Sequence, residues 1–238
     1  LIEPLVLLPG LMCDARVFEH QMRALSRDRA VTVASVSTAE RIEEIARGLL
    51  VQLPQRFALA GLSLGAVVAL EIVRYAPERV SRLCLMASDA HSESPQTAAA
   101  REELLVAAKM GRLEEVMRRL IGSDSLAPGP RRIPILADVI SMALDLGPQV
   151  FERQIRALQR RPDQQGNLRR ITAPTLVLCG AHDTVVPVRR HAFMADLIPN
   201  AELHVIKDAG HLPTLESPEN VTEALKTWLS VKPALDYA

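Results

Sequence analysis

The chain has 238 residues, 48% of them apolar and 24% charged, which are the proportions of a globular protein. Its 28 basic and 28 acidic side chains cancel, so no overall field draws it to nucleic acid or to an anionic membrane surface. The three cysteines, Cys13, Cys84 and Cys179, are odd in number and lack metal spacing, and no apolar run approaches the roughly 20 residues of a membrane span.

In chain order, short apolar runs alternate with helical patterns. Leu5–Leu8 reads as a buried strand stopped by Pro9-Gly10. No basic segment or cleavage site accompanies it, so the expectation is a cytoplasmic chain without a signal peptide. Ala15–Leu25 has helical spacing, and the valine-rich Ala30–Val36 reads as a strand. Ile42–Leu53 places apolar residues at 42, 45, 46, 49, 50 and 53, one face of a helix. Phe57–Ala60 is a strand running into Gly61, and Leu64–Tyr75 is apolar nearly all round, like a helix buried on a sheet. Val80–Ala87 is the next strand. From about Asp89 to Arg170 there is no convincing strand, only helical stretches at Glu102–Ala108, Leu113–Ile121, Ile135–Ala143 and Val150–Leu158. The alternation then resumes: strand Thr175–Leu178, helix Arg189–Ile198, strand Glu202–Ile206, helix Pro218–Leu229. This order predicts an α/β fold, a mostly parallel, doubly wound sheet with helices on both faces. Residues 1–89 and 171–238 would form the core, and 90–170 a helical lid over the C-terminal edge of the sheet, where open α/β sheets bind ligands.

Gly61-Leu62-Ser63-Leu64-Gly65 lies between a strand and a helix. A nucleophile exposed on so tight a turn needs small neighbours two residues before and after it, so that strand and helix can approach. The helix N-terminus adds a positive dipole end and a free N–H beside the serine. A serine also needs a base held by a third group. Of six histidines, only His211 stands just past the C-terminal end of a strand, at the edge that carries Ser63. Asp183 follows another strand end and is the candidate orienting acid, with Asp89 as its rival.

With these residues in place the chain resembles an α/β-hydrolase of the serine esterase/lactonase type. Ser63, Asp183 and His211 occur in that superfamily's order. Leu7-Leu8-Pro9-Gly10-Leu11 resembles its oxyanion loop, Ala173–Asp183 its acid strand, and Gly210–Glu219 the segment carrying its base. The chain is most similar to small bacterial enzymes with a helical lid, such as 3-oxoadipate enol-lactonases and carboxylesterases acting on acyl methyl esters. The resemblance implies an oxyanion hole of two backbone N–H groups, Leu11 and Leu64, with Gly10 and Met12 as pocket candidates. It implies hydrolysis of a small ester, lactone or thioester through an acyl-enzyme, without cofactor or metal. Few residues precede Leu5, so the expectation is either a reduced or absent N-terminal hairpin or a sequence that starts late, and Ala66 stands where a second glycine is common in the family.

Only one aromatic residue, Phe151, falls in the lid, which predicts a pocket lined by Leu, Ile, Val and Met and an apolar ester-type substrate. Met110, Met117 and Met142 read as core packing rather than pocket. The pairs Arg118-Arg119, Arg131-Arg132 and Arg160-Arg161 read as solvated surface or helix-end partners, although one could clamp a carboxylate or phosphate. Arg161-Pro162-Asp163 reads as a structural turn. Two other functions fit the same scaffold: a cofactor-free C–C hydrolase, lyase or perhydrolase-like enzyme, and a non-catalytic ligand-binding module. The oligomeric state is not legible in the sequence.

Overall fold

Leu5–Leu8 (β1) is apolar at four successive positions and fully buried, as a strand covered on both faces requires. The structure is a computed structural model and describes residues 2–231. In it β1 is joined by Val31–Val33 (β2), Phe57–Leu62 (β3), Val80–Met86 (β4), Thr175–Gly180 (β5) and Ala201–Ile206 (β6). The order across the sheet is β2-β1-β3-β4-β5-β6, and every pairing is parallel. All six C-terminal ends therefore reach the same edge. The expected sheet is confirmed, and it is wholly parallel among the described residues. β3, β4 and β5 are buried throughout, whereas the outermost strand β6 alternates half-buried and exposed residues, because one of its sides has no neighbour. β2 is shorter than the expected Ala30–Val36.

Helices cover both faces. Glu19–Leu25 (α1) follows a short 3-10 turn at Ala15–Phe18, so the expected single helix is divided in two. Ile42–Gln52 (α2) buries Ile42, Ile45, Ala46 and Leu49, the face read from the spacing. Leu64–Tyr75 (α3) is buried from Leu64 to Val73, because β1, β3 and α2 surround it. Between β4 and β5 lie four helices: Pro95–Lys109 (α4), Leu113–Leu120 (α5), Arg132–Gln159 (α6) and Gln165–Leu168 (α7). Val188–Leu197 (α8), Pro213–Glu216 (α9) and Pro218–Ser230 (α10) complete the chain. α7 and α9 are single turns that carry no periodic signal.

The inserted helices share one apolar core with the sheet. Leu105, Val116, Met117, Met142 and Phe151 join Leu5, Leu7 and Met86 in it. Met110 instead points to solvent. α6 is long and apolar enough to cross a membrane by length and composition. Gly147, at φ 81° and ψ 171°, breaks it before Pro148, and it packs on α4 and α5. The break falls between the two helical stretches read from the sequence.

Candidate active site

The turn from β3 to α3 is held by close backbone approach. A Cβ on Gly61 would lie 2.4 Å from the Gly65 carbonyl oxygen, and one on Gly65 would lie 2.1 Å from that of Leu8. Two glycines are therefore required where strand, turn and β1 converge. Ser63 sits at the apex with φ 51° and ψ −113°, a conformation that costs a non-glycine residue of the order of 1–3 kcal/mol. Its N–H donates to the Met86 carbonyl at 2.8 Å, which leaves the side chain at the C-terminal edge.

The loop after β5 supplies Asp183, which is buried. Its Oδ1 accepts the N–H groups of Val185 and Val186 at 2.9 and 2.8 Å. Its Oδ2 is 2.9 Å from His211 Nδ1. His211 Nε2 lies 3.2 Å from Ser63 Oγ. Ser63, Asp183 and His211 are thus brought into one hydrogen-bonded chain. The rival Asp89 accepts its own neighbour's N–H, from His91, at 2.9 Å and has no bond to His211.

His211 follows β6 in a loop fixed from two sides. Its N–H donates to the Ser125 carbonyl, in the turn between α5 and α6, at 2.8 Å. One carboxylate, Glu216, accepts from Gly210 N–H and Leu212 N–H at 2.9 Å each, and from Ala127 N–H at 2.6 Å. The inserted helices therefore help to place the imidazole. Sequence reading missed Glu216, and the signal was available: a glutamate in the short turn just after the histidine.

Leu64 follows Ser63 directly and Leu11 lines the same cavity, and the N–H of neither donates to an acceptor among the described residues. Gly10 packs against the turn, its Cβ position 3.5 Å from that of Ser63. Met12, expected beside the pocket, is instead fully buried in the core. Its φ is 53°, which turns the side chain inward, and its N–H donates to Gln154 Oε1 on α6 at 2.8 Å.

Ser63, His211, Gly10 and Leu11 open on a cavity of about 410 Å³. A larger groove of about 680 Å³ runs along β6 and α10 and holds none of these residues. The chemistry belongs to the smaller one. The expectation of an apolar lining holds only in part. Leu120, Ile121, Leu158 and Val186 line it, but so do Asp89, Glu93, Arg101, Arg161 and Arg190. Arg161, in the turn read as structural, also lines the cavity, because the chain after α6 folds back against the segment that follows β4. Of the other paired arginines, Arg118 bonds Glu114 at 2.8 Å, Arg132 caps the Leu126 carbonyl at 2.7 Å and Arg160 meets Glu40 at 3.1 Å, as expected for surface and helix-end roles. Cys13 borders the cavity, and burial pushes its thiol up to about 12, with Asp14 adding to the shift. It is therefore no thiolate nucleophile.

Behind Asp183, His191 on α8 is completely buried. Its Nε2 accepts the Ser88 N–H at 3.0 Å, so the proton sits on Nδ1, toward the Pro187 carbonyl. Burial holds its pKa below the ordinary 6.5. The unfolded chain takes up this proton near 6.5 and the folded chain only at lower pH. The stability contributed by the neutral ring is therefore present above about pH 6.5 and is lost as the pH falls below it. Urea midpoints measured at about pH 7.5 and pH 5.5 should drop toward acid, and His191→Gln should shrink that drop. An undiminished drop in the variant would place the acid sensitivity in other groups.

Parallel sheet, inserted helices and a strand–serine–helix turn define the class as an α/β hydrolase. The model of the Alpha/beta hydrolase family matches residues 5–224, and the chain belongs to that family. It is 28% identical over 192 residues to a pimeloyl-[acyl-carrier protein] methyl ester esterase of Aromatoleum aromaticum, covering 75% of this chain and 76% of that one. Among solved structures, a thermophilic esterase from Thermogutta terrifontis superposes with a TM-score of 0.86 at 26% identity, over 95% of this chain and 89% of that one. The enol-lactonase from Burkholderia xenovorans LB400 also gives 0.86, at 19% identity over 97% and 92%, and shows the shared fold.

Proposed function

We propose that the chain is a serine hydrolase that cleaves a small carboxylic ester, lactone or thioester through an acyl-enzyme. The observation that carries this reading is the continuous path from Asp183 Oδ2 through His211 to Ser63 Oγ, with steps of 2.9 and 3.2 Å, at the wall of a cavity. The names of the esterase relatives point the same way.

In this reading Ser63 Oγ attacks the substrate carbonyl while its proton passes to His211 Nε2. Asp183 holds the imidazole with Nδ1 protonated and stabilises the imidazolium; its other oxygen, bound by two N–H groups, keeps it from turning away. The oxyanion is received by Leu11 N–H and Leu64 N–H, at the start of α3. His211 returns the proton to the leaving oxygen or sulfur as the carbonyl–leaving-group bond breaks. Water then attacks the acyl group, giving one proton to His211 and through it back to Ser63 Oγ. The net reaction is ester plus water to acid plus alcohol, with nothing oxidised or reduced. The helices between β4 and β5 act as a lid, because they close the cavity and brace His211 through Ser125.

Labelling with a fluorophosphonate, with peptide mapping beside turnover of p-nitrophenyl esters of increasing acyl length, tests this. Labelling at Ser63 with turnover is expected. Labelling without ester turnover would instead favour a C–C hydrolase or lyase. Neither labelling nor turnover would favour a ligand-binding module.

A further inference from the structure

One wall of the Ser63 cavity is charged. Asp89, His91 and Glu93 come from the segment after β4, Arg101 from α4, Arg161 from the chain after α6 and Arg190 from α8. Three guanidiniums thus share this wall with two carboxylates. Glu93 is fully engaged: its two oxygens accept from Arg101 at 2.6 and 2.8 Å. Asp89 Oδ1 accepts the His91 N–H and stands 3.7 Å from both Arg161 Nη2 and His91 Nδ1, beyond hydrogen-bond length. Within the lining, one guanidinium is in excess of the carboxylates.

The donors match that count. Arg190 Nη1 is 2.8 Å from His91 Nε2. Arginine only donates, so Nε2 accepts and the His91 proton is on Nδ1. This Nδ1–H is buried and has no hydrogen-bond partner, and the same holds for Arg161 Nε–H. Among the described residues they are the only two buried side-chain nitrogens without one, and both belong to residues of this wall. Burial also weighs against the Arg161 charge and pulls its pKa below the usual arginine value. Unpaired buried donors are costly and rare in folded chains. Two such donors in residues of the cavity wall, beside a guanidinium in excess, are unspent partners for the acceptor oxygens of a ligand that displaces Asp89.

We infer that this wall is a carboxylate subsite: the ester cleaved at Ser63 carries a free carboxylate, held by Arg161 Nε–H and His91 Nδ1–H. The inference rests on the proposed ester hydrolysis at Ser63. A single guanidinium in excess matches a carboxylate rather than a phosphate, which approaches two negative charges at neutral pH. Leu120, Ile121, Leu158 and Val185 line the same cavity, so the part joining ester and carboxylate is aliphatic. The substrate class is a half-ester of an aliphatic dicarboxylic acid.

The test compares monomethyl glutarate with methyl butyrate, a neutral ester of similar length, in the wild type, Arg161→Met and Arg161→Lys. The wild type should favour the half-ester in kcat/KM. In Arg161→Met the half-ester to neutral-ester ratio should fall by about 10- to 100-fold, mainly through KM. Arg161→Lys keeps the charge and should recover part of the ratio. Because the readout is a ratio between two substrates, a general loss of activity cancels. No half-ester preference in the wild type, or a ratio unmoved by Arg161→Met, overturns the subsite. Thermal shifts read it without turnover. Glutarate should raise the melting temperature of the wild type and not of Arg161→Met. Stabilisation by inorganic phosphate in place of glutarate overturns the carboxylate assignment. A glutarate shift that needs Arg161, with no turnover of either ester, supports the subsite and overturns the ester chemistry.

Discussion

Replacing Ser63 with alanine is expected to lower kcat by about 10⁶-fold, the scale seen when a serine nucleophile is removed from a triad that acts as a unit. KM should change little, because alanine leaves the cavity wall and the Leu11 and Leu64 N–H groups in place. The fold should survive, since Ser63 Oγ bonds only to His211. The backbone makes a second measurement informative. Ser63 holds φ 51° and ψ −113°, and alanine has a Cβ as serine does, so Ser63→Ala keeps the strain. Ser63→Gly removes it. The glycine variant should therefore melt later than the alanine variant, by a difference of roughly 1–3 kcal/mol less the extra chain entropy of glycine. Both variants should be equally inactive. Equal melting would mean that the turn is not strained. Retention of wild-type turnover in Ser63→Ala would remove the acyl-enzyme scheme altogether. The comparison separates two roles of one residue, its oxygen in the chemistry and its backbone in the aim of that oxygen.

The sequence made the sheet and the three hydrogen-bonded side chains of the candidate site legible for a common reason. Buried parallel strands are short apolar runs, and the candidate residues stand just past their ends, where glycines mark the turns. Ser63, Asp183 and His211 each follow a strand by a few positions, so one-dimensional order carries the three-dimensional edge. The helices between β4 and β5 were legible as helices from their periodicity, and the break at Gly147-Pro148 from its composition. What they enclose was not. Arg161 and His91 lie 70 positions apart in sequence and share one cavity wall, each 3.7 Å from Asp89 Oδ1, only because the chain after α6 returns beside the segment after β4; the Gln164 N–H bond to the Ala90 carbonyl, 2.8 Å, records that return. Met12 was misplaced for the opposite reason. Closeness in sequence to the oxyanion loop put it near the pocket, but a positive φ at that residue turns it into the core. Glu216 went unread although it stands in the short turn after His211, because its partners are backbone N–H groups, which residue type does not name.

Gly65→Ala should be the most damaging single-methyl change in the chain. The added carbon would lie 2.1 Å from the Leu8 oxygen and 2.7 Å from the Pro9 oxygen. Both obstacles are backbone at the end of β1, which is paired on both sides by β2 and β3, so no side-chain rotation relieves them. Either α3 moves off the sheet or β1 shifts. Overpacking of this kind costs about 3 kcal/mol or more, which for a chain of this size lowers the melting temperature by roughly 6–12 °C. The same displacement separates Leu64 N–H, at the start of α3, from Leu11 N–H, just past β1. A shift near 1 Å in such an arrangement costs about 10²-fold in rate, so any folded fraction should be slow in kcat even at a temperature where it is stable. Gly48→Ala is the matched comparison. Gly48 lies within α2, and nothing stands within 4 Å of its Cβ position. Alanine there should stabilise by about 0.5–1 kcal/mol through its better helix propensity and leave kcat alone. If Gly65→Ala melts and turns over like the wild type, the close approach of α3 to β1 is not what builds the site. The opposite signs expected of one substitution at two helical positions follow from where the helix stands: α2 carries its glycine toward solvent, while α3 carries its own against the carbonyls at the end of β1.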